Sequence, residues 1–96
     1  MSTVVDIGSL ITPTDDVRGG RARIAGTGVT VQRVVRWYRL GLTPEEIVDR
    51  IGHLSLAQVH AALSYFHANQ QQIDAEIAAD DQEAERASAL SNGTKP

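Results

Sequence analysis

Cysteine is absent from the 96-residue chain. That excludes disulfides, thiolate catalysis and cysteine-built zinc sites, and it fits a reducing, cytoplasmic compartment. Aromatic residues are scarce: Trp37, Tyr38, Tyr65 and Phe66 are the four. No apolar run approaches the roughly 20 residues that a membrane-spanning helix needs, so no membrane association is expected. The first ten residues carry Asp6 and no cationic leader, unlike a secretory signal. Catalytic constellations are missing as well. No serine sits in a nucleophile elbow, and Gly26-Thr27-Gly28 lacks the Gly-Lys-Ser/Thr ending of a phosphate loop. His53, His60 and His67 recur every seven residues. On a helix, His60 and His67 would stand about 10.5 Å apart, whereas the ligands of one metal lie about 2 Å from it. Neither an enzyme nor a cofactor or metal site is expected.

What is present is apolar material for one small helical core, 42% of the residues. A chain of this size hides only about 60–65% of its unfolded surface, so a homodimer or another partner chain is expected. The net charge of −3 conceals a sharp split. Residues 17–42 hold six arginines (Arg18, Arg21, Arg23, Arg33, Arg36, Arg39) and no acid. Residues 74–86 hold six acids (Asp74, Glu76, Asp80, Asp81, Glu83, Glu85) against Arg86. Such blocks predict two surfaces with different partners, the basic one for nucleic acid. The plainer alternative is two solvated faces.

Along the chain, residues 1–20 read as irregular, with one short strand near residues 4–7. Arg18-Gly19-Gly20-Arg21 is a turn signal. Ala22-Arg23-Ile24-Ala25 and Val29-Thr30-Val31 read as two short strands around a glycine turn, able to pair with a second subunit. A helix follows from Val31 to about Leu40 with Thr30 as N-cap. Val31, Val34, Val35 and Tyr38 form its buried face. Arg33, Arg36 and Arg39 line the other side, with Trp37 placed to stack on Arg33. Gly41 ends it. Thr43-Pro44-Glu45-Glu46 is a capping box opening a two-turn helix that Gly52 stops. Ser55 caps a long third helix, in which Leu56, Val59, Leu63, Phe66, Gln70, Ile73 and Ile77 alternate spacings of three and four. About 21 residues would reach some 30 Å. Its second half, at Ile73 and Ile77, lies beyond what one small domain covers and is expected to meet another chain. Asp81 and Glu85 repel at i, i+4, and residues 88–96 read as a disordered tail.

The expected architecture is therefore mainly α: a helix-turn-helix or winged-helix-like three-helix unit, a short N-terminal β element, and an extended C-terminal helix. Three segments are expected. Residues 1–20 form an irregular or β segment, 21–68 the helix-turn-helix-like domain, and 69–96 a helix extension with an acidic tail. In a helix-turn-helix, Ser55 and Gln58 would offer donors to base edges or phosphates. The helix they open has no Arg or Lys in its first three turns. Phosphate contacts must then come from Arg21, Arg23, Arg33, Arg36 and Arg39. A twofold dimer would double them.

Three blocks resemble one known family, covering about residues 20–71. They are Arg23-Ile24-Ala25-Gly26-Thr27-Gly28-Val29-Thr30-Val31, then Gly41-Leu42-Thr43-Pro44-Glu45-Glu46-Ile47, then His53-Leu54-Ser55-Leu56-Ala57-Gln58-Val59-His60-Ala61-Ala62-Leu63 with Tyr65. The chain is similar to the domain-of-unknown-function family 433. The family usually has arginine where this chain has Gly28, so a contact made by that arginine has no counterpart here. The resemblance implies a VapB-type antitoxin paired with a PIN-like ribonuclease toxin. The folded middle would dimerise and bind operator DNA. Gln70, Ile73, Ile77 and Arg86 would contact the toxin, with Arg86 directed at the toxin's acidic metal cluster. The alternatives are a DNA-binding regulator without a toxin, and an interaction module that never touches DNA.

Overall fold

The computed structural model describes Val4 and residues 6–13 and 20–93. Arg18, Gly19 and the last three residues, which figured in the expected turn and tail, lie outside these.

The chain opens differently from the expected strand at residues 4–7. The Asp6 carboxylate accepts from the Gly8 backbone N–H at 3.0 Å, and the Ser9 hydroxyl donates to the Asp6 carbonyl at 2.6 Å. These local bonds wind Ile7–Leu10 into a 3-10 turn. Strand β1 (Ile11–Thr12) comes only afterwards and pairs antiparallel with β2 (Arg23–Ile24), Ile11 opposite Ile24. The glycine turn after β2 is real: Gly26 has φ +77, and Thr27 clamps the turn by donating to the Ile24 carbonyl at 2.9 Å and accepting from Val29 at 3.0 Å. Beyond it the return segment makes one bridge, Arg23 with Thr30. β2 thus finds its strand partner in β1 of its own chain.

Helix α1 (Val31–Arg39) is capped by Thr30, whose hydroxyl accepts from the Arg33 N–H at 3.1 Å. Val31, Val34 and Val35 are wholly buried. Tyr38, expected beside them, is exposed; the inward turn at that end is taken by half-buried Trp37. Trp37 does not stack on Arg33. Helix α2 (Pro44–Ile51) packs on that side of α1 and sets the Arg50 guanidinium 5.6 Å from the indole centroid.

Both capping boxes form. In α2 (Pro44–Ile51), Thr43 and Glu46 exchange hydrogen bonds at 2.9 and 3.2 Å. In α3 (Leu56–Ala68), Ser55 and Gln58 do so at 2.7 and 3.1 Å. Gly52, at φ +83, makes the left-handed stop between them.

The expected single long helix is broken. Asn69 leaves helical geometry (φ −131, ψ 40), and its side-chain amide donates to the Tyr65 carbonyl at 3.0 Å. A new helix, α4 (Gln70–Gly93), starts there. The redirection carries Ile73 into the protein's own core, with no solvent exposure, and half-buries Ile77 against it. Ile73 therefore needs no second chain. Nor are residues 88–93 unstructured, since the helix runs to Gly93.

The molecule is mainly helical, with a small N-terminal sheet and an extended last helix. Ile24, Val29, Val34, Ile47, Val59 and Phe66 sit at the centre of one core that β2 and the four helices share. A compact chain of this length would have a radius of gyration of about 12–13 Å; this one has 15.8 Å and extents of 66 × 32 × 21 Å. The excess is α4, whose 24 residues reach about 36 Å. From Asp81 to Leu90 each residue is exposed. Among the described residues no helix is long and apolar enough to cross a membrane.

Candidate functional site

The arginines expected to meet nucleic acid do gather on one side, but they meet acids of the same chain. Arg39, at the last turn of α1, bonds the Asp74 carboxylate. Arg36, one turn earlier, bonds Asp81 at 2.8 Å, and Arg21, before β2, bonds Asp80 at 3.0 Å. α4 therefore runs antiparallel along α1, its first half laying acids on the arginine row. The two charge blocks are not two independent surfaces; over this stretch they are halves of one internal contact. The six side chains keep 40–56% exposure, and exposed pairs contribute roughly 0.2–1 kcal/mol each. Such a contact is readily exchanged for another anion. Arg39 also stands 5.1 Å over the Phe66 ring, which fixes its stem.

Arg21, Thr30, Gln32, Arg33, Arg36 and Asp80 line a cleft of about 330 Å³ at the N-terminal end of α1. Of the other expected DNA contacts, Arg23 is exposed on β2 and does not line this cleft. Ser55 and Gln58 are also elsewhere. Their capping box commits the serine hydroxyl and the glutamine carbonyl oxygen to backbone N–H groups, which leaves the Gln58 NH2 as an available donor.

The expected toxin contacts do not form one face. Gln70 is exposed at the start of α4. Ile73 is core, so it is withdrawn as a surface contact. Ile77 borders an apolar notch with Arg36, Arg39 and Leu40. Arg86 lies far along the projecting half, paired with Glu83 at 3.2 Å. The three histidines are dispersed, His53 leaning on the Ile51 carbonyl at 3.2 Å. Among the described residues no group of three metal-ligand side chains exists. Hydrogen bonds with the Thr43 backbone and then the Thr43 side chain hold the Glu46 carboxyl below the usual glutamate value, with Arg50 adding to this.

Asp74, Asp80 and Asp81 as arginine partners, and Gln32 inside the cleft, were not expected from sequence. The available signal was charge order: acids on one helix and arginines on another at turn spacings, with opposite sign.

The profile of the family described as "Protein of unknown function (DUF433)" matches residues 11–66, from β1 almost to the end of α3. The chain is similar to a crystal structure of a DUF433 member protein from Anabaena variabilis ATCC 29413. Sequence identity is 34% and the TM-score 0.63, over 73% of this chain and 69% of that one. No curated protein matches.

Proposed function

The chain belongs to the DUF433 family, and we propose that it is a non-enzymatic antitoxin of the VapB type. In this reading the projecting half of α4 binds and neutralises a PIN-like ribonuclease toxin. The body, as a dimer, binds operator DNA.

One observation carries the toxin half of the proposal: residues 81–90 are helical, yet exposed on every side. A polar helix of this length is marginal alone in water, and it gains by lying on a partner's surface. Its charge suits a ribonuclease. An enzyme that holds RNA presents a cationic groove, and Glu83 and Glu85 offer carboxylates to it. The family resemblance adds Arg86 as the group directed at the toxin's acidic metal cluster. To reach it, Arg86 exchanges its exposed pair with Glu83 for the toxin's carboxylates.

The DNA half draws on α2, the Gly52 stop and α3, which follow one another as helix, turn and helix, and on the arginines of α1. A second reading has a specific observation in its favour. Arg21, Arg36 and Arg39 are already paired, and Ser55 and Gln58 are engaged in a cap, as suits an interaction module that never meets DNA.

Two measurements test the proposal. The full chain should co-purify with the nuclease encoded beside it and inhibit RNA cleavage, and deletion of residues 82–96 should abolish both. The full chain should also bind duplex DNA with log affinity falling linearly against log salt. Failure of the first removes the antitoxin; a flat salt response removes the DNA contact and leaves the interaction module.

A further inference from the structure

We propose that the cleft at the N-terminal end of α1 is a phosphate site, and that Asp80 of α4 occupies it as an internal stand-in for the phosphate. The proposal relies on the DNA-binding reading only for where the phosphate comes from.

The lining is a donor set. Arg21, Arg33 and Arg36 all line one cleft. Guanidinium forks match the oxygens of a phosphate better than any other side chain does. Thr30, the N-cap of α1, stands in the wall, so the positive end of the helix dipole adds to the same field. Gln32, in that first turn, is only 9% exposed. It lines the same cleft, and its side chain is hydrogen-bonded to no described residue. Its amide NH2 is a donor that a ligand oxygen in the cleft can engage.

Among the residues that line the cleft Asp80 is the one carboxylate, and its charge identifies the ligand's. Asp80 places one carboxylate oxygen 3.0 Å from Arg21. Arg36 takes its carboxylate from Asp81 next to it, and Arg33 forms no ion pair with any described residue. The donors therefore exceed what Asp80 can accept. A phosphate, with more oxygens and at least equal charge, engages Arg21, Arg33 and Gln32 together and displaces the aspartate. Because Asp80 sits on α4, that helix competes with the ligand for the cleft.

Inorganic phosphate and a labelled random-sequence duplex DNA are the two probes. Each is titrated into the full chain, Asp80→Asn and Arg33→Ala. Shifts of the Gln32 side-chain amide resonances report on phosphate, and fluorescence anisotropy reports on duplex over a range of salt. Asp80→Asn removes only an exposed pair, and thermal melting checks that it remains folded. The expected result is that Asp80→Asn tightens both probes, by roughly three- to fivefold. Arg33→Ala weakens both, by roughly tenfold, and lowers the duplex salt slope by about one. Two results overturn the proposal. One is a Gln32 amide that phosphate leaves unmoved in all three proteins; the other is an Asp80→Asn variant that binds phosphate no tighter than the parent. Phosphate binding as expected without duplex binding supports the cleft and removes the DNA reading. Duplex binding indifferent to both substitutions overturns duplex DNA as the source of the cleft's phosphate and leaves the DNA reading to another surface.

Discussion

Ile73 and Glu46 show how differently single residues hold this fold. Ile73 has no exposed surface, and it fastens the start of α4 to the core. Ile73→Ala is expected to lose about 2–4 kcal/mol in chemical denaturation, the range for deleting buried aliphatic atoms and leaving a cavity. Ile77→Ala, at a half-buried position, should lose less than half as much. Glu46 acts through a local bond on a fully exposed group. Its carboxyl is held below the usual value by the Thr43 hydrogen bonds. A depressed pKa contributes stability that is present above the ordinary value and lost as pH falls through the folded one. The denaturation midpoint of the parent is therefore expected to fall more steeply than that of Glu46→Gln on acidification below the usual glutamate range. Parallel curves for the two proteins would contradict this. The Glu46 role was legible in the sequence because Thr43-Pro44-Glu45-Glu46 encodes its partner three residues away. The burial of Ile73 was not. Its spacing from Phe66 suits a continuous stripe and a folded-back helix equally well.

At the scale of elements, the helix starts were readable and one connection was not. Thr30, Thr43 and Ser55 each cap where expected, because a cap needs only its own first turn. Gly52 likewise announced a stop. Its φ of +83 is a conformation that a Cβ disfavours, and Gly52→Ala should cost about 1 kcal/mol in denaturation experiments. The break at Asn69 was hidden. Apolar residues repeat at three and four on both sides of it, and a single asparagine turning its amide to Tyr65 carries no periodic signature. Where the periodicity predicted a 21-residue rod, the chain makes α3 and α4. The far half of α4 contributes no burial over residues 81–90. Deleting residues 82–96 should therefore leave the thermal midpoint of the body within about 2 °C of the parent, since surface changes are usually near-neutral. A large drop would mean that this half supports the body.

For the molecule as a whole, charge is the organising feature. Composition displayed six arginines and six acids in separate blocks, but a linear sequence does not say which way the acidic helix will lie. The fold lays Asp74, Asp80 and Asp81 on the arginine side of α1 and sends Glu83, Glu85 and Arg86 past the body. α4 therefore divides in two: the first half is part of the body and guards its arginines, and the second is the segment proposed to meet a partner. Backbone amide hydrogen exchange along α4, free and with the nuclease proposed as its partner, tests that division most directly. The free chain should protect amides near Ile73 and Ile77 strongly and those from Glu83 onward weakly, and the nuclease should slow exchange only in the latter group. Uniform exchange along α4 in the free chain, or a nuclease that protects nothing beyond Asp81, would contradict it.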